Sequence, residues 1–563
     1  MSEARRGVAE LPFICHAFGV THAIISPGSR SAPLVLAFTA HEKIKCISIT
    51  DERSAGYYAI GMAQQLNEPV VIVCTSGTAV ANYAPALAEA FYLKLPVIAI
   101  TADRPPEWID QNDGQTIRQR GLFSNIVKGS YETPVETQNP ADLRLFQRMV
   151  SEAMNLALDR RNGPVHINVP LREPLYEALP AVKGPSNAIL KKELHGMSTA
   201  YDDINTTDMK LHLFKKILIV CGMANPDEQF ALHLRELSRT GRAIVIAENL
   251  TNAGGDFMVE TPDSFIASLS ENEKKELQPQ LLITVGGPVV SKKLKKYLRV
   301  YQPDEHWHAN SGVELIDTYQ CLSRVFDLPA AEFLRLVRKC IGLDDTSYSA
   351  LAKPVLNRLT QLHKSFMTAV PWSDMAVYHE LFKTFPEDSV LHLANSTPVR
   401  YSQLFPSREK ICYYSNRGTS GIDGCISTAA GAAMVNNNLQ IALVGDLAFI
   451  YDTNGLWNNH LPKNLRIIVI DNGGGNIFRL IETSPIIEPL RNFFETPHKV
   501  KIRKLCEAFS LNYVHISGLD GLREKMKSFF KPKSSAAVMH ITTSGDASAE
   551  AFKNYYQFIS QKK

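Results

Sequence analysis

The chain alternates short apolar, β-branched runs with longer segments of helical periodicity. In the first 170 residues the runs are HAIIS, CISIT, PVVIVC, PVIAITA and VHINVP. Alternation of this kind predicts parallel strands joined by crossover helices. Between Tyr176 and Lys215 the periodicity gives way to Pro, Gly, Ser, Thr and Asp, as in a linker, which sets a domain boundary near residue 185. A second series, KILIVCG, RAIVIAE and LLITVGG, runs to another irregular stretch around DDTSYSALAKP. The third comprises SVLHLAN, ICYYSN, QIALVGD, LRIIVIDN and AAVMHIT. The expected organisation is therefore three doubly wound α/β domains with mostly parallel sheets, at 1–185, 186–350 and 351–563. No short fixed-period repeat is present. In open parallel sheets ligands bind beyond the carboxyl ends of strands, so the residues just after these runs are where chemistry is sought.

With 563 residues the chain is long enough for several buried cores. Sixty Lys+Arg against 57 Asp+Glu leave a formal charge of +3, which removes any general electrostatic case for nucleic-acid binding. The nine cysteines are scattered with no C-x-x-C pair, as expected of reduced core residues. The uncharged stretches 69–88 and 424–445 are interrupted by Pro, Gly or Asn, and no membrane insertion is expected. MSEARRGVAELPF lacks the apolar run of a secretory leader, so a cytoplasmic protein is expected.

Asp446 follows the strand QIALVG directly, and Asn472 lies 26 residues later, directly after LRIIVID. A strand–helix–strand unit of that length brings an acid and an amide to one sheet edge. Oxygen ligands of this type suit Mg²⁺, which completes its shell with substrate phosphates. Gly473, Gly474 and Gly475 let backbone approach a ligand closely. The plain alternative is that Asp446 caps a helix and the glycines form a loose turn. The pair resembles the diphosphate and metal motif of thiamine diphosphate enzymes, with Leu447 at its third position as in one branch of that superfamily. The resemblance implies a thiamine diphosphate-binding fold and a cation, Mg²⁺ or Mn²⁺, held by the Asp446 and Asn472 side chains and the Gly474 carbonyl.

Within that resemblance, Glu52 in DERSAG stands where the superfamily places the glutamate that hydrogen-bonds the cofactor pyrimidine and promotes loss of the thiazolium proton. Such a group needs a raised pKa, obtainable by desolvation. Read alone, DER is equally a charged helix N-terminus. Ile422 in GTSGIDG stands where a bulky apolar residue wedges between the two cofactor rings; otherwise it is a hydrophobic anchor in a loop. The implied cofactor-binding set also takes in Thr75, Ser76, Asn395 and Ser396, then Gly421, Gly445, Leu447 and Ala448, and finally Ile477 and Phe478.

Six cationic residues sit at strand ends: Arg30, Arg104, Arg400, Arg417, Lys292 and Lys293. Singly each reads as a solvated side chain or surface ion pair; together in a near-neutral chain they imply a strongly anionic substrate. SPGSRSAPL, DERSAG, TSGTAVAN, TADRPPE, YSNRGTSGIDG and DNGGGNIF together look like the 2-succinyl-5-enolpyruvyl-6-hydroxy-3-cyclohexene-1-carboxylate synthases of menaquinone biosynthesis. That resemblance implies a transferase that decarboxylates 2-oxoglutarate and adds the succinyl-semialdehyde carbanion to isochorismate. Both are dicarboxylates, which gives the six cations a chemical reason to be present. It places Ser29 and Gln115 beside them in the substrate site, with Lys293 where some members carry arginine. In the superfamily one subunit holds the pyrimidine and its two-fold partner the diphosphate, implying a homodimer or tetramer with sites at the subunit interface.

No G-x-G-x-x-G follows a strand, and P-loop, HExxH and GxSxG strings are absent. His306 and His308 lack the further ligands of a zinc site. The alternatives are another thiamine diphosphate 2-oxoacid carboligase such as an acetolactate synthase, or a non-catalytic ligand-binding regulator.

Overall fold

The computed structural model describes residues 2–192, 209–312, 314–342, 346–480 and 492–561. Residues 193–208 of the expected linker and 343–345 of the second irregular stretch lie outside them. Among the described residues there are three sheets, and each is drawn from one of the three stretches expected from the strand runs.

The first sheet has the order β2-β1-β3-β4-β6-β5, with β1 His22–Ile25, β2 Lys45–Ser48, β3 Val70–Cys74, β4 Val97–Asp103, β5 Ser130–Glu132 and β6 Val165–Pro170. Every pairing in it is parallel. The carboxyl ends of β1, β2, β3, β4 and β6 therefore share one edge. Strands β3, β4 and β6 are buried along their whole length, as expected where helices cover both faces. One cover is the helix Pro140–Ala157, started by the Asn139 side chain, which accepts from Ala141 N–H at 2.9 Å. Its Leu143, Phe146, Val150, Ala153, Met154 and Ala157 recur every three or four residues and join one core with Val71, Ile98 and Ile167. Burying each large side chain there contributes about 1.5–3 kcal/mol.

The second sheet, β11-β10-β9-β7-β8, uses β7 Ile217–Cys221, β8 Ala243–Ala247, β9 Leu281–Val285, β10 Glu305–Ala309 and β11 Leu322–Phe326. The third, β13-β12-β14-β15-β17-β16, uses β12 Val390–Leu393, β13 Cys412–Tyr414, β14 Gln440–Gly445, β15 Leu465–Asp471, β16 Asn512–Ile516 and β17 Ala537–Thr542.

By compactness the chain groups into two units: Met1–His195 with Asn416–Gln440 and Tyr451–Leu465, and Gly196–Ser415 with Ile441–Ile450 and Arg466–Lys563. Within the first, helices Glu52–Leu66 and Cys425–Val435 approach so closely that side chains are excluded at their crossing. A Cβ on Gly61 would lie 1.9 Å from the Thr428 carbonyl oxygen, and one on Gly431 2.1 Å from that of Tyr58. Buried Asp452 secures the second helix by accepting from the N–H groups of Ile426 and Ser427 at 2.8 and 2.7 Å. Among the described residues, no helix is long and apolar enough to cross a membrane.

Candidate active site

In the second unit, β14 and β15 are neighbours, and the chain leaves their carboxyl ends at Gly445 and Asp471. Asp446 opens the short helix Asp446–Tyr451, which also carries Leu447 and Ala448, and is 2% exposed. Its Oδ1 accepts from Leu447 N–H at 2.7 Å and its Oδ2 from Gly474 N–H at 2.7 Å. Gly473 and Gly474 have φ of +86° and +139°. A Cβ on Gly474 would lie 2.3 Å from the Glu495 carbonyl oxygen, so the turn demands glycine. The Gly474 carbonyl, expected to bind metal, accepts from Asn476 N–H at 2.9 Å and keeps a second lone pair.

Asn472 is oriented by a residue the motif search missed. Its Nδ2 donates to Asp374 Oδ2 at 2.7 Å. Asp374 is fully buried, and its other oxygen accepts from Thr543 Oγ1 at 2.6 Å and Ser548 Oγ at 3.0 Å. With the amide nitrogen committed, Asn472 Oδ1 is left buried without a hydrogen-bond partner among the described residues. An orphaned carbonyl-type oxygen beside a buried carboxylate is a donor set suited to a hard divalent cation.

Asp471 and His498 add to this set: with Asp446 they offer ligand atoms all within 4.8 Å of one another. His498 Nε2 lies 3.2 Å from Asp446 Oδ2, and Asp471 Oδ2 lies 2.9 Å from His540 Nε2. Burial, then the Asp471 charge, pushes the Asp446 carboxyl above its usual range. Burial pulls Asp471 the same way, but hydrogen bonds, led by that with His540, hold it below. A region that resists accumulating negative charge is one that a cation relieves. Asn476 is also buried, with neither amide atom partnered among the described residues. Ile477 and Phe478 open the next short helix, and the Phe478 ring stacks on Phe494 at 5.3 Å. Buried Asn395 and half-buried Ser396 follow β12, and Ser396 takes φ +75°, a conformation that non-glycine residues adopt at strained, functional turns.

In the first unit, Glu52 follows β2 as the first residue of its helix, capped by Asp51, whose side chain accepts from Ser54 N–H at 3.0 Å. Glu52 Oε2 accepts from Asn82 Nδ2 at 3.4 Å. Thr75 and Ser76 follow β3; Ser76 Oγ donates to the Gln115 carbonyl at 2.8 Å, while Thr75 Oγ1 is buried without a hydrogen-bond partner among the described residues. The loop carrying Gly421 and Ile422 is held by buried Glu89, which accepts from Gly418 N–H at 2.8 Å, Thr419 N–H at 2.6 Å and Thr419 Oγ1 at 2.6 Å. Tyr57 O–H anchors the same loop by donating to Asp423 Oδ2 at 2.8 Å.

Two of the six cations meet at one carboxylate. Arg30 and Arg104, after β1 and β4, both lie against Glu173. Lys293 sits 4.7 Å above the Tyr556 ring, whose hydroxyl also feels the Arg400 charge. Arg400 Nε is buried without a hydrogen-bond partner among the described residues. Lys292 is exposed at the start of helix Lys292–Val300, and half-buried Arg417 precedes the 418–424 loop. Ser29 and Gln115 are exposed. His306 and His308 are buried and share Thr284 Oγ1, at 2.8 Å each.

Asp374, Asn476, His498, Tyr556, Glu89 and Glu173 were not singled out in the sequence. Only Asn476 lies inside a recognisable motif, DNGGGNIF, where a buried amide among glycines was a usable signal.

Residues 8–122 match the family model described as thiamine pyrophosphate enzyme, N-terminal TPP binding domain. A 2-succinyl-5-enolpyruvyl-6-hydroxy-3-cyclohexene-1-carboxylate synthase of Desulfotalea psychrophila is 40% identical, covering 93% of this chain and 96% of that protein. Proteins of the same name from Christiangramia forsetii and Porphyromonas gingivalis are 35% and 36% identical, each covering at least 97% of both chains. Similarity of this extent, over nearly the whole chain, places it in the 2-succinyl-5-enolpyruvyl-6-hydroxy-3-cyclohexene-1-carboxylate synthase family of thiamine diphosphate enzymes.

Proposed function

We propose that the protein decarboxylates 2-oxoglutarate and transfers the remaining four-carbon unit to isochorismate, giving 2-succinyl-5-enolpyruvyl-6-hydroxy-3-cyclohexene-1-carboxylate and CO₂. The observation that carries this reading is the oxygen cradle after β14 and β15, in which buried Asp446 lies across the turn from the unpaired Asn472 Oδ1. When bound, thiamine diphosphate supplies the nucleophilic carbon and the electron sink for decarboxylation. Asp446, Asn472 and the Gly474 carbonyl would hold its cation, Mg²⁺ or Mn²⁺. Asp374 keeps the Asn472 oxygen turned outward, and His498 supports Asp446. Glu52 would donate a hydrogen bond to the cofactor pyrimidine, and Ile422 would set the angle between its rings from a loop fixed by Glu89 and Tyr57.

The cationic residues Arg30, Arg104, Arg400, Arg417, Lys292 and Lys293 serve the two dicarboxylates, with Ser29 and Gln115 as neutral polar contacts. Residues 1–185 then form the pyrimidine-binding domain, 186–350 the middle domain, and 351–563 the diphosphate- and metal-binding domain. The active species is a cytoplasmic homodimer at minimum, in which Glu52 of one protomer serves the cofactor whose diphosphate its partner holds.

Incubation with thiamine diphosphate, Mg²⁺, 2-oxoglutarate and isochorismate, with mass detection of the adduct, tests the reading. Product is expected with 2-oxoglutarate and not with pyruvate. Product from pyruvate alone would make the protein an acetolactate-forming enzyme instead.

A further inference from the structure

We propose that Glu173 is a placeholder carboxylate: it occupies the subsite formed by Arg30 and Arg104, and a substrate carboxylate displaces it on binding. The inference rests on the dicarboxylate reading above and adds to it a residue that sets the affinity of one subsite.

Arg30 is 5% exposed; its Nη1 donates to the Leu171 carbonyl at 2.8 Å and its Nη2 reaches Glu173 Oε1 at 3.2 Å. The Arg104 Nη1 lies 3.7 Å from that same oxygen and 3.1 Å from Asp113 Oδ2, and its Nη2 donates to the Gly114 carbonyl at 3.0 Å. Arg104 Nε is buried and has no hydrogen-bond partner among the described residues. Two guanidinium groups thus converge on one carboxylate oxygen. Convergence of like charges is unfavourable without an anion between them. Burial and then the Arg104 charge lower the Arg30 pKa from its ordinary value, and Glu173 opposes that shift. The anion now present belongs to the protein, and it is the same chemical group that a dicarboxylate substrate would bring.

Glu173 is also the member of the cluster free to leave. Its side chain is 70% exposed, against 5% for Arg30 and 20% for Arg104, so water can solvate it once displaced. The backbone around it is tied down. Leu171 N–H donates to the Asp103 carbonyl at 3.0 Å, Arg172 pairs with Glu107 and Glu136, and Arg5 donates to the carbonyls of Arg172 and Pro174. Departure of the Glu173 carboxylate therefore requires only side-chain rotation. If it stayed, an incoming carboxylate would meet a like charge beside the two arginines.

The test compares wild type with Glu173→Gln, Glu173→Asp and, as a surface ion-pair control, Glu136→Gln. Steady-state constants are measured for 2-oxoglutarate and isochorismate, and the unreactive dicarboxylate glutarate is titrated by calorimetry. Glu173→Gln should lower the KM of one substrate and the glutarate Kd by about twofold to fivefold, the upper part of the scale of one exposed ion pair. It should leave kcat within about twofold. Glu173→Asp should restore wild-type values, and Glu136→Gln should change nothing. A raised or unchanged KM for both substrates in Glu173→Gln, or a fall confined to kcat, overturns the proposal. If wild type forms no adduct, the functional reading fails on its own, and the glutarate titration still decides the role of Glu173.

Discussion

Replacing Asp446 by asparagine keeps the shape of the side chain but removes the charge that the cation would meet, and the structure predicts opposite consequences with and without ligand. In the ligand-free protein two effects oppose each other. The amide can accept only one of the two backbone N–H groups, of Leu447 and Gly474, that the carboxylate now accepts, and leaving a buried donor unmet costs about 1–3 kcal/mol. Against this, neutralisation relieves a carboxylate already disfavoured by burial and by Asp471. The net change in ligand-free stability should stay below about 2 kcal/mol. With thiamine diphosphate and Mg²⁺ at a hundred times the wild-type Kd, ligand linkage adds about 2.7 kcal/mol to wild type. A variant weakened tenfold gains only about 1.4 kcal/mol at the same concentrations, and one weakened a hundredfold about 0.4. Thermal melting with and without cofactor and Mg²⁺, paired with calorimetric titration, reads both quantities. A variant that melts like wild type under both conditions would mean that the cation is held elsewhere.

Glu52→Gln should bind thiamine diphosphate with nearly wild-type affinity but lose at least about a hundredfold in turnover, because an amide cannot share the proton in the way a carboxyl does; retention of most of the rate would remove Glu52 from the mechanism. Asp452, fully buried beside the start of helix Cys425–Val435, is pushed by burial from 3.8 up to about 7. Because the folded value is raised, its stabilising contribution is complete below pH 3.8 and is lost as pH rises through 7, by at most about 4 kcal/mol at roughly 1.4 kcal/mol per pH unit. Asp452→Asn, whose amide oxygen can still accept from Ile426 and Ser427, should flatten the fall in urea-unfolding stability between pH 5 and 8, and an unchanged pH profile would contradict this. Finally, co-refolding Glu52→Gln with Asp446→Ala chains should return roughly a quarter of wild-type activity, since one of the two sites in each heterodimer is intact; verified heterodimers without activity would refute the shared-site arrangement.

The sequence by itself determined the three series of strands and helices and the residues at their ends, because both follow from local patterns. The run VVIVC is apolar throughout and LRIIVID is apolar from Ile467 to Ile470, and these residues are buried on both faces in β3 and β15. Asp446, Asn472, Glu52 and Arg104 were recognisable because each directly follows such a run. Only the tertiary structure decided what those side chains meet. Asn472 is turned by Asp374, 98 residues earlier; Arg30 meets Glu173, 143 residues later; the Ile422 loop hangs on Glu89, 329 residues before Gly418. A strand run tells where a chain leaves its sheet, since that depends on neighbours a few residues away. Which distant carboxylate arrives within 3 Å depends on helix packing and loop path, which side chains set collectively and no short spacing encodes. For the same reason the orphaned Asn472 oxygen and the occupied arginine pair were invisible in the sequence: both are properties of partners present or absent in space.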